Sequence, residues 1–161
     1  MMLRIIFLLL IFFSFTNYSY SASSSSDGGS KSNYNKAANL IKAAKKYESK
    51  GKSEKAKKRY ERALKLLIKS NKEKPNQADT LNYLGFATRK LGNYEECEKY
   101  YLLGLKIDPN HKGINEYLGE LYVVTNRIEL AKQRLDVLKN CNCKEYEELK
   151  DIIDGNKKSK Y

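Results

Sequence analysis

Residues 78–111 read ADTLNYLGFATRKLGNYEECEKYYLLGLKIDPNH, and this stretch decides the fold. Leu81, Leu84 and Gly85 recur at helical spacing, giving one side of a helix that can face a core. Gly92-Asn93 then breaks the helix, since both residues tolerate the left-handed backbone that ends one. A second amphipathic run extends from Tyr94 to Ile107, and Asp108-Pro109-Asn110 stops it. The segment is therefore a helix, a tight turn, a helix and a stop within 34 residues.

The unit repeats along the chain. Tyr83-Leu84-Gly85 and Tyr117-Leu118-Gly119 are the same triplet, 34 residues apart. That offset places Asn115, Leu118, Gly119 and Tyr122 in one helix, with Ala131 and Leu135 in the next, and puts Asn126 where the turn glycine stood. A more diverged copy lies upstream: Leu40, Ala43, Ala44 and Tyr47, a break at Gly51, then Ala56, Tyr60 and Ala63. Tyr47 to Tyr122 and Ala56 to Ala131 are both 75 residues apart, seven more than two repeats. The excess falls between Leu66 and Lys74, so the second helix of the first copy is predicted to run about two turns long.

On these residues the chain resembles the tetratricopeptide repeat (TPR) family, whose unit is a helical hairpin of about 34 residues. The resemblance implies an all-α, right-handed α-solenoid of about three hairpins (37–77, 78–111 and 112–145) with a C-terminal capping helix over 144–154. The whole domain would occupy 33–154. Packing between helices is assigned to Leu84, Gly85, Cys97, Tyr101, Pro109, Leu118, Gly119, Tyr122 and Ala131. The small residues among them let helices approach to the usual 8–10 Å or so. Thr88 stands where the family has an aromatic residue, and Cys143 stands where it has proline.

The flanks differ from this body. Arg4 precedes the apolar run Ile5–Phe13, and small polar residues follow, as in a secretory signal peptide over 1–22. The apolar run is shorter than the roughly 20 residues that span a bilayer; the alternative is a retained membrane anchor. Residues 23–32 form a Ser/Gly-rich linker, and 155–161 read as a short, basic, unstructured tail. Export to a bacterial periplasm or cell envelope is the expected localisation.

No catalytic motif emerges. His111 is the single histidine, with no nucleophile–base arrangement around it. No glycine-rich phosphate loop or paired zinc-ligand motif appears, so neither enzyme activity, metal nor cofactor is expected. The three cysteines include Cys141-Asn142-Cys143. In an oxidising compartment these two admit a disulfide, and otherwise they remain free thiols; Cys97 reads as a small packed residue.

Two surfaces are candidates for partners. The formal charge is +12, of which removing the leader subtracts only Arg4. Much of it lies in Lys42–Lys74, which reads either as a solvated helical face or as a patch for an anionic envelope surface or nucleic acid. Nucleic acid is out of reach of an exported chain. The TPR resemblance points instead to a concave face lined by Ile41, Lys45 and Glu48, then Asn82, Phe86 and Arg89, then Glu116, Glu120 and Val123. Such a face suits an extended or helical segment of another protein. The expected function is a non-catalytic adaptor that binds another protein or peptide segment.

Overall fold

A computed structural model describes residues 32–159. The expected signal peptide (1–22) and almost all of the expected linker (23–32) fall outside the described residues. Within them lie seven helices: α1 (Asn33–Glu48), α2 (Ser53–Glu73), α3 (Ala78–Lys90), α4 (Tyr94–Ile107), α5 (Lys112–Val124), α6 (Ile128–Leu138) and α7 (Lys144–Ile153). No strand occurs among the described residues, and none of these helices is long and apolar enough to cross a membrane.

The helices start and stop where side-chain chemistry satisfies their ends. Ser32 Oγ, Asn93 Oδ1 and His111 Nδ1 each accept a bond from the backbone N–H three residues on, at 3.1–3.2 Å, which pairs donors that a helix start leaves open. The turns inside the three hairpins pass through Gly51 (φ 67°), Gly92 (φ 86°) and Asn126 (φ 58°). Asparagine thus does at the third turn what glycine does at the first two.

Pairing follows chain order. α1 packs on α2, α3 on α4 and α5 on α6; α2 also meets α3, α4 meets α5, and α7 lies on α5 and α6. α2 has 21 residues and α4 has 14, so the seven-residue excess is carried as added helix. The stack buries two apolar clusters. One gathers Ile41, Tyr60, Leu67, Leu84 and Phe86 from α1–α3. The other gathers Cys97, Tyr101, Leu118, Tyr122 and Ala131 from α4–α6. Tyr117 packs against both.

Close approach explains two glycines. A Cβ on Gly85 would lie 2.6 Å from Tyr101 Cδ1, and one on Gly119 would lie 2.8 Å from Leu149 Cδ1. Tyr101 and Leu149 are both wholly buried, so neither can swing aside. Phe86, two residues before Thr88, is buried and meets Tyr60 and Tyr117 with ring centroids 5.9 and 5.1 Å apart.

Pro109 departs from the packing role assigned to it. It is exposed in the α4–α5 turn, and its carbonyl accepts a bond from Asn115 Nδ2 at 3.0 Å. Its place in the repeat is set by ending α4, where a ring without an N–H cannot continue the helix.

The basic tail also departs from expectation. Gly155 adopts φ 76°, its N–H bonds Ile152 O at 3.3 Å, and Asn156 N–H bonds Asp151 O at 2.9 Å. This pair of bonds is the Schellman arrangement, which closes a helix and reverses the chain. Residues 156–159 therefore return along the domain.

Candidate functional site

The first helices of the hairpins, α1, α3 and α5, line a cleft of about 770 Å³ whose far side is closed by α7. Helical spacing sets its lining: Phe86 and Arg89 lie one turn apart on α3, and Glu116 and Glu120 one turn apart on α5. Glu145 and Glu148 do the same on α7.

Aromatic rings and cations make its floor. Lys45 Nζ lies 4.3 Å from the centre of the Phe86 ring and 3.3 Å from Tyr117 Oη. The Arg89 guanidinium lies over Phe86 and Tyr117 at 5.2 and 5.1 Å, within reach of the negative ring faces. Arg89 also donates to the Tyr117 carbonyl at 3.3 Å and pairs with Glu120 at 3.5 Å, with both side chains buried. At the near edge Glu48 accepts a bond from Tyr60 Oη at 2.9 Å and pairs with Lys90 at 2.8 Å.

The far side is acidic. Glu116 and Glu120 from α5 line it together with Glu145 and Glu148 from α7. Burial raises the Glu116 carboxyl to about 8, and the charges of Glu120, Glu145 and Glu148 add to that rise while Lys45 opposes it. The returning tail supplies counter-charge: Lys157 pairs with Glu148, and Ser159 Oγ donates to Glu120 Oε2 at 3.2 Å.

Six of the nine residues assigned to the concave face line this cleft together: Lys45, Glu48, Phe86, Arg89, Glu116 and Glu120. Three do not. Ile41 is 2% exposed and belongs to the α1–α3 core, because α1 lays that turn on its neighbours before Lys45 clears them. Val123 is half-buried against the α4–α6 core. Asn82 opens on an adjoining hollow with Asp79, Tyr83 and His111.

Tyr117, Lys90, Lys144, Glu145 and Glu148 also line the cleft and were missed by sequence reasoning. Tyr117 served there only as a repeat marker, and α7 only as a cap. The three-residue spacing of Glu145 and Glu148 was the available signal.

His111 is fully employed in structure. Its Nδ1 accepts the Ile114 N–H at 3.1 Å, which leaves Nε2 to carry the proton and donate to Asp79 Oδ1 at 3.0 Å. Cys141 and Cys143 form a disulfide in the α6–α7 turn, with Cα atoms 5.1 Å apart. Cys97 is free and wholly buried, its Sγ donating to Tyr94 O at 3.2 Å.

The family model described as "Tetratricopeptide repeat" matches residues 78–111, the α3–α4 hairpin. That hairpin is a tetratricopeptide repeat. No curated protein matches it. Solved TPR structures share the arrangement of its helices. The first TPR domain of human RPAP3 is 21% identical, with a TM-score of 0.55, over 78% of this chain and 98% of that one. The same domain of Spaghetti (RPAP3), bound to the HSP90 peptide SRMEEVD, is 21% identical with a TM-score of 0.53 over 76% and 94%. The Yersinia enterocolitica type III secretion translocator chaperone SycD is 18% identical with a TM-score of 0.54 over 75% and 88%. At these identities the likeness is one of fold.

Proposed function

We propose that this TPR protein is a non-catalytic adaptor that holds an extended or helical segment of another protein in the α1/α3/α5/α7 cleft, in a bacterial periplasm or cell envelope. The observation that carries the reading is the cleft's floor. Lys45 and Arg89 lie against the Phe86 and Tyr117 rings that line it, with carboxylates on either edge. A groove with an apolar floor and a few oriented charges is what recognition of a peptide segment uses.

A TPR domain of similar fold was solved with an HSP90 peptide bound, so peptide binding is compatible with this architecture. That peptide, SRMEEVD, is acidic towards its end. An acidic segment of that kind would meet four glutamates on the far side of this cleft. The envelope setting is supported by the apolar leader at Ile5–Phe13 and by the Cys141–Cys143 disulfide, a bond that oxidising compartments sustain.

A second reading has its own observation. Lys55, Lys58, Arg62, Lys65 and Lys69 on α2 are all exposed and form a surface that an anionic membrane would attract.

The test is affinity capture from native envelope extract with three full-length baits of equal thermal stability: wild type, Lys45→Glu/Glu145→Arg, and Lys58→Glu/Arg62→Glu. Groove binding predicts proteins lost only from the first variant. Loss only from the second, together with binding to anionic vesicles that salt abolishes, would replace the adaptor reading with the electrostatic one.

A further inference from the structure

We propose that residues 155–159 are a built-in competitor for the acidic side of the cleft, and that the partner segment they stand in for is one bearing lysine or arginine. The proposal rests on the groove-binding reading above and gives its partner a chemistry.

The path of the tail is built into the end of α7. With Gly155 left-handed and the two reversing bonds to Ile152 and Asp151 made, the chain cannot run on along the helix axis. Lys157 N–H adds a third bond to Asp151 O at 3.1 Å. The reversal brings Lys157 onto Glu148 and Ser159 onto Glu120, one carboxylate from each of the two helices that form the acidic side. Lys157 and Ser159 become half-buried there, whereas Lys158 between them stays exposed. Alternate residues facing in and out is the habit of an extended segment lying on a surface.

The chemistry of the seat favours such an occupant. Four glutamates from two packed helices share one side of the cleft. They repel one another, so a cation placed among them relieves a cost as well as gaining an attraction. Lys144, on α7 itself, reaches Glu148 at 3.6 Å, and Arg89 reaches Glu120 at 3.5 Å. Those two cations come from the walls, whereas Lys157 is delivered from beyond the end of α7. A lysine-bearing partner would use the same two carboxylates.

Competition follows from tethering. Lys157 lies four residues beyond the last residue of α7, so its local concentration at the seat is on the order of millimolar. A free segment of similar intrinsic affinity must displace it, and its apparent affinity falls accordingly.

The experiment uses the full chain and a labelled synthetic peptide, GNKKSKY, the sequence of residues 155–161. Wild type, whose own tail fills the seat, should bind it weakly. Lys157→Ala/Ser159→Ala should bind it at least tenfold more tightly. Adding Glu148→Gln to that variant should remove the gain, and the peptide GNEESEY should bind none of the three. Equal affinity of wild type and Lys157→Ala/Ser159→Ala, or a gain that survives Glu148→Gln, overturns the proposal. The outcome is separable from that of the capture experiment. Captured proteins lost from the Lys45 variant, with no tail effect, would leave the adaptor reading standing alone. A tail effect without such proteins would do the reverse.

Discussion

Glu116 couples the cleft to pH. Burial first, then the charges of Glu120, Glu145 and Glu148, raise its carboxyl from the ordinary 4.5 to about 8, against the pull of Lys45. Between those values the folded chain holds the proton more tightly than the unfolded chain does. The stability this contributes is full below about 4.5 and is lost as pH rises through about 8. Glu116→Gln removes the dependence. Denaturant titrations should show variant and wild type alike at pH 4, and the variant more stable by roughly 1–3 kcal/mol at pH 8; a wild type that gains stability across this window relative to the variant would contradict the assignment. At this scale the helical spacing that makes the lining was legible in Lys45, Phe86, Arg89 and Glu120. Ile41 was not, since it lies one turn from Lys45 on the same helix. Only the placement of α1 on its neighbours decides which of those two turns is covered.

For single elements, α7 shows how a small residue secures a helix. Leu149 fills the space that the missing side chain of Gly119 leaves on α5. Gly119→Ala would gain up to about 1 kcal/mol of helix propensity. It would lose about 1–3 kcal/mol by overpacking a site whose neighbour is wholly buried. The loss should win: a net destabilisation on the order of 1–2 kcal/mol is expected in chemical unfolding, with hydrogen exchange in α7 accelerated more than in α1. An unchanged midpoint would show that Leu149 can move. Helix ends were readable in the sequence because Gly92, Asn126 and the Asp108-Pro109 stop each carry a backbone reason. The returning tail was not read, although Gly155 was the signal. A glycine just past a helix can end it in several ways, and only the bonds to Asp151 and Ile152 show which one was taken.

Over the whole molecule, charge is distributed unevenly. The +12 formal charge weighs on α1 and α2, whose lysines are mostly exposed, while glutamates gather at α5 and α7. Each region repels itself, and screening weakens both repulsions. Thermal midpoints should therefore rise by several degrees between about 0.02 and 0.5 M sodium chloride; a fall would mean that ion pairs such as Arg127–Glu98, at 2.8 Å, outweigh the repulsion. The 34-residue period made the stack legible, because a repeated hairpin has few ways to bury its apolar sides. The charge map of the cleft was not legible, since it depends on which side of α7 meets α5, and no periodicity encodes that.

Cys97 offers a clock inside the stack. With the other two cysteines of the chain joined to each other, it is the one thiol open to a labelling reagent. It has no exposed surface, and burial pushes its thiol up to about 12, so it reacts only in molecules whose α3–α4 hairpin has momentarily parted. The pseudo-first-order labelling rate, divided by that of an unfolded thiol, is then the equilibrium constant for local opening of the middle repeat. The untouched protein thus carries its own gauge of how often the centre of the solenoid breathes, and of whether a bound segment slows that breathing.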